Sequence, residues 1–137
     1  MYLLIHSPNR DTTYVALAKS EGIFDTENYS AQANANMDLM IDIDAILKRN
    51  NATPQNLKGI IVMSGPGSFA ALRSGIVIAN TTGQVLNIPV AGVGGNETYV
   101  AEELFAEGMK VLGGMKEFVP VIPAYGREAN VSTPKKV

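Results

Sequence analysis

The sequence predicts a mixed α/β fold, one sheet with the element order β-β-β-α-β-α-β-α. Three observations carry this. The first thirty or so residues hold three strand-like runs split by turn residues, which is a hairpin meander. From there on, short apolar runs alternate with longer stretches of helical composition, the pattern of parallel strands joined by helical crossovers. No repeat, low-complexity tract or linker interrupts the 137 residues, enough for one domain with a true core.

Each element has its own signal. "YLLIHS" (2–7) is an apolar run ended by Pro8, and "PNRD" (8–11) is turn chemistry. "TTYVALAKS" (12–20) is β-branched and aromatic, hence a second strand. "IFDTENYSA" (23–31) is more polar, as suits an edge. Residues 36–50 read as a helix. At 100° per residue, Leu39, Met40, Ile43, Ile46 and Leu47 make a core-facing arc, and Asp38, Asp42 and Arg49 a wet strip. "GIIVMS" (59–64) is a buried strand and residues 70–86 a second helix. On that helix Phe69, Leu72, Ile76, Ala79, Gly83 and Leu86 share the core face, while Arg73, Asn80 and Gln84 are wetter. "IPVAGV" (88–93) is a strand. Residues 96–108 form a third helix, capped by Asn96 and stopped by Gly108. Pro120 and Pro123 bar the last extended piece from a central strand.

Both of the first two helices carry a second stripe that a helix with one buried face does not need. In the first it is Met37, Ile41 and Ala45, flanked by Asp44 and Lys48. In the second it is Ala71, Ser74, Ile78, Thr81 and Val85, small and adaptable. The stripes point to a partner helix pair; burial under the chain's own third helix or C-terminal segment is the alternative.

Composition excludes several classes. A net charge of -2 gives no basic field for nucleic acid. The absence of cysteine excludes disulfides and thiolate metal sites, and a single histidine, His6, builds no histidine-rich metal site. "MYLLI" is too short for a signal peptide, and no run spans a membrane, so a cytoplasmic location is expected. Asp11 and the helical Asp38, Asp42 and Asp44 do not converge as a two-metal site requires.

The loop "MSGPGSFAALRSG" (63–75) joins a strand to a helix, where backbone N–H groups and the helix dipole favour an anion. Gly65, Pro66, Gly67 and Ser68 therefore form a candidate anion site. It lacks the Gly-Lys-Ser/Thr ending of a P-loop, Ala70 replaces the third glycine of G-x-G-x-x-G, and the frame is not that of a nucleophile elbow. The competing reading is a tight corner in which Ser68 caps the helix and Phe69 plugs the core.

"SGPGSFAALRSGIVIANTTGQVLNIPVAGV" resembles the signature of the TsaB (YeaZ) family of bacterial tRNA threonylcarbamoyladenosine biosynthesis proteins. Gly65, Pro66, Gly67, Ser68, Phe69, Leu72, Arg73 and Gly75 match its G-P-G-S-F-T-G-[LV]-R-[IV]-G run, while Ala70, Ala71 and Ser74 depart. "LLIHSPNRDTTYVAL" is similar to the family's first hairpin, with His6 where an aspartate is usual. Pro123, Tyr125 and Arg127 are similar to its closing P-x-Y-x-R segment. The resemblance implies one ribonuclease-H-like, actin-like ATPase lobe in residues 1–109. Residues 110–137 would hold only a short remnant of the second lobe and the C-terminal segment.

It also implies a non-catalytic scaffold that pairs with a TsaD-like catalytic subunit through the two striped helices. A TsaE-like ATPase joins that pair. The chain alone would bind no cofactor, ATP being used by the partner system, and tRNA would be met only through the complex. Two rivals stand beside this: a phosphate- or nucleotide-binding protein using the GPGS loop, and a homodimer through the same helices.

Overall fold

The computed structural model describes residues 1–9, 12–28, 39–96 and 98–124. Five strands, β1 (Tyr2–His6), β2 (Tyr14–Lys19), β3 (Gly22–Asn28), β4 (Gly59–Gly65) and β5 (Val90–Gly94), form one sheet in the order β3-β2-β1-β4-β5. β1 pairs antiparallel with β2 and parallel with β4. β2–β3 is antiparallel and β4–β5 parallel, as the element order predicts. The polar third strand is indeed an edge.

Alternation along β1 divides the core in two. Leu3 and Ile5 face one side with Val15, Leu17, Ile60 and Val62; Leu4 faces the other with Ala16, Ala18 and Ile61. Helices α1 (Leu39–Arg49) and α2 (Phe69–Leu86) cover the first side. Leu39, Ile43, Ile46 and Leu47 come from α1, and Leu72, Ile76 and Ala79 from α2. Helix α3 (Ala101–Leu112) covers the second with Leu104 and Leu112.

Three expectations are corrected here. Met40, assigned to the core arc of α1, is 53% exposed. The third helix starts five residues after Asn96, whose Oδ1 instead accepts from Thr98 N–H (2.8 Å) and Oγ1–H (2.6 Å), an Asx turn ahead of the helix. Glu103 supplies the capping contact, accepting at Oε1 from Val100 N–H at 3.1 Å. Gly108 does not stop α3 but lies inside it. A Cβ there would come within 2.4–2.6 Å of three atoms of fully buried Ile61, so glycine is what lets the helix lie on β4.

The edge strand is shielded by a charged clamp from α1. Arg49 donates from Nε to Asp25 Oδ2 at 2.9 Å, from Nη1 to Glu27 Oε1 at 2.6 Å and from Nη2 to Asp25 Oδ1 at 3.0 Å. Asn50 adds a bond to Asp25 Oδ2 at 2.7 Å. The backbone of Thr26 is covered as well: its N–H donates to Asp25 Oδ1, and Arg49 Nη2 reaches its carbonyl at 3.4 Å. Hydrogen bonds from Arg49 and Asn50 hold the Asp25 carboxyl below its ordinary range.

Two predictions come from this packing. Gly108→Val drives a branched side chain into Ile61 and should destabilise the protein by about 1–3 kcal/mol, read as a lower urea midpoint. The Asp25 clamp contributes fully above the ordinary carboxylate range near pH 4 and is lost as pH falls through the lower folded value. Arg49→Ala should therefore flatten the loss of thermal stability on acidification below about pH 4. An unchanged profile would show the clamp to be energetically silent.

Candidate partner-binding surface

The surface between α1 and α2 is fixed by what occupies their other flanks. Arg49 ties one flank of α1 to β3, so at 100° per residue the opposite flank, with Met40 and Asp44, turns toward α2. Asn80 ties one flank of α2 to the chain after α3. Its Nδ2 donates to the Val121 carbonyl at 3.0 Å, and its Oδ1 accepts from Val121 N–H at 2.9 Å. Phe118 and Val121 pack beside that flank against Gly83 and Gly92. The flank of α2 with Ala71, Ser74, Ile78 and Val85 is the one turned toward α1.

Most of the stripe residues reach the outer surface. Ile41 is 60% exposed and Val85 77%, and Ala45 and Thr81 are also open. Val77 adds to this surface at 50%. Asp44 and Lys48 form an exposed i,i+4 ion pair of 2.9 Å. Ser74 and Ile78 are half-buried, and the Ser74 hydroxyl donates to the Ala70 carbonyl at 3.0 Å. Ala71 is the exception. At 3% exposure it belongs to the interior, because its place on α2 falls at the edge of the core-facing arc. Met37 lies outside the described residues. Among the described residues neither rival cover lies on this surface: α3 is on the other side of the sheet, and Phe118 and Val121 pack beside the Asn80 flank.

The signature loop is a junction. Gly65 has φ 141°, which favours glycine, and an added Cβ would collide with the Ala124 carbonyl. Its own carbonyl accepts from Gly95 N–H at 2.9 Å. Ala124 N–H donates to Ser64 O at 2.6 Å, and Ser68 N–H to Pro8 O at 2.7 Å. A Cβ on Gly67 would sit 2.6 Å from that same Pro8 oxygen. The loop thus binds together the β1–β2 loop, the β5–α3 loop and the C-terminal stretch, with the Ser68 N–H engaged by protein. Ser68 occupies the N-cap place, but its side chain makes no cap bond. Phe69 is not a plug: it is 60% exposed with the Arg73 guanidinium 6.0 Å from its ring centre. The signature glycine that matters inside is Gly75, where a Cβ would meet Ser7 and Ile5 of the β1 end.

His6, at the end of β1, is buried and stacked on Tyr14 with ring centres 4.5 Å apart; its Nδ1–H donates to the Thr12 carbonyl at 3.0 Å. Among the described residues no group of three His, Asp or Glu side chains is placed to hold a metal, and no helix is long and apolar enough to cross a membrane.

Replacing Asn80 by leucine leaves Val121 N–H and C=O without partners and should free the chain after α3. The expected result is faster proteolysis within 113–124 and a loss of about 1–3 kcal/mol in urea unfolding. Cleavage at the wild-type rate would show that Phe118 and Val121 packing suffices.

Comparison with known proteins places this geometry. The family model described as TsaD, tRNA N6-adenosine threonylcarbamoyltransferase, matches residues 28–121. A tRNA threonylcarbamoyladenosine biosynthesis protein TsaB from Bacillus subtilis is 27% identical over 109 residues, 80% of this chain and 48% of that protein. The fold is similar to YeaZ from Pseudomonas aeruginosa, with TM-score 0.56 and 19% identity over 68% of this chain and 42% of that one. A second solved structure, an uncharacterized protein with similarity to peptidase YEAZ from the same organism, gives 0.57, again at 19% identity, with the same coverage of both chains. The chain spans about half the length of the relatives it matches.

Proposed function

The chain belongs to the family of TsaD, tRNA N6-adenosine threonylcarbamoyltransferase, on its TsaB/YeaZ side, and from that premise we propose that it is a non-catalytic scaffold subunit in tRNA threonylcarbamoyladenosine biosynthesis. It pairs with a TsaD-like catalytic subunit through the outer surface of α1 and α2. ATP is used by the partner system, including a TsaE-like ATPase, and tRNA is met through the complex.

The observation that carries this is the open apolar surface formed by Ile41, Val77 and Val85 on helices whose other flanks are already occupied. Solvent-facing branched side chains on two adjacent helices lose water on docking and gain roughly 25 cal/mol per Å² of apolar area covered. The absence of any strand-end carboxylate at His6, and the engagement of Ser68 N–H by Pro8, favour this over catalysis or phosphate binding at the loop.

The test is complex formation with a TsaD-like subunit by size-exclusion chromatography and titration. Ile41→Asp and Val85→Asp place a charge in the proposed contact and should each weaken it at least tenfold, about 1.4 kcal/mol. Val111→Asp on α3 should leave it unchanged. Complex formation indifferent to the first two variants would exclude this surface. A homodimer that those variants dissociate, with no partner complex, would favour self-association on the same helices.

A further inference from the structure

The opposite side of the sheet carries a feature that the scaffold reading does not use. A cavity of about 530 Å³ opens between the end of β3, the β1–β2 loop and the start of α3. Its size falls within the range of small-molecule sites. Its walls are mostly apolar, from Tyr14, Tyr99, Val100 and Ala101, with hydroxyl and amide groups around them.

The polar groups have a consistent character. Thr26 and Asn28 enter from β3, and neither side chain has a hydrogen-bond partner among the described residues. The aromatic wall is held rigidly: Tyr14 O–H donates to the Tyr99 carbonyl at 3.1 Å, and Tyr99 O–H to the Gly94 carbonyl at 3.4 Å. Both rings are thus anchored at their hydroxyls as part of the wall. No Lys, Arg, Asp or Glu among the described residues lines the cavity. Burial first, then the nearby Glu102 and Glu103 carboxylates, push the Tyr14 phenol well above its ordinary value, a local field that opposes a further anion.

We propose that this cavity binds an uncharged small molecule that combines one flat ring with hydroxyl or amide groups, of nucleoside size. The ring lies along the Tyr99 side of the wall, where stacking adds about 0.5–1.5 kcal/mol beyond area burial. Thr26 and Asn28 hydrogen-bond its polar edge. A phosphate ester of the same molecule is disfavoured, because no cation among the described lining residues offsets its charge. The site is independent of the α1–α2 surface, from which the sheet separates it.

The experiment is ligand-detected NMR followed by calorimetry on the full chain. The probes are uncharged nucleosides and nicotinamide-type aromatic amides, each beside its phosphate-bearing counterpart. Saturable binding of an uncharged probe is expected, at least fivefold weaker in Thr26→Val and in Tyr99→Ala. Both variants retain the fold, because Thr26 is exposed and Tyr99 keeps the carbonyl that Tyr14 uses; circular dichroism checks this. Silence across the uncharged probes, binding indifferent to both variants, or tighter binding of the phosphate esters would each overturn the proposal.

Discussion

The middle strand constrains everything else. β1 is flanked on both sides, by β2 and β4, and buried on both faces, with Leu3, Leu4 and Ile5 no more than 1% exposed. A strand in that place must have helices on each side of the sheet. Two helices lie on the Leu3 and Ile5 side and one on the Leu4 side. Once α3 is committed to Leu4, Ile61 and Ala91, it has no access to the outer surface of α1 and α2. Among the described residues, the open apolar surface is thus a consequence of strand order.

The rim at the ends of β1, β4 and β5 follows from the same constraint. Parallel pairing brings the loops after these strands to one end of the sheet. There the glycine-rich corner joins them through backbone bonds to Pro8, Gly95 and Ala124. In a phosphate-binding loop, amides at such a strand–helix corner face the anion. Here protein carbonyls accept from the Ser68 and Gly95 amides, and the close approaches at Gly65, Gly67 and Gly75 are all to the chain itself. The corner keeps its shape because it holds the rim together.

Much of this was legible in the sequence because it rests on periodicity. Alternation and apolar runs located the five strands, the polar run located the edge, and the 100° wheel placed Ile41 and Val85 outside and Leu72, Ile76 and Ala79 inside. What failed depended on tertiary approach. Gly108 carries the local signal of a helix stop, yet only the distance to Ile61 explains it. Asn96 has the chemistry of a cap and uses it one turn early. Phe69 is apolar and begins a helix, which suggests a plug, but at the first turn of α2 its ring is largely exposed beside Arg73. Ala71 sits at the margin of an arc, where a methyl group is small enough to be enclosed. The cavity by Tyr99 had no sequence signal, since its groups come from three separate segments, residues 6–14, 26–28 and 98–101.

On the proposed function, the outer face of α1 and α2 is the docking surface and the α3 side is not. Hydrogen–deuterium exchange of the chain, alone and with a TsaD-like subunit, tests it directly. Added protection confined to residues 39–49 and 69–86, with 101–112 unchanged, is the predicted result. Protection gained on 101–112 while the first two helices exchange as before would contradict it.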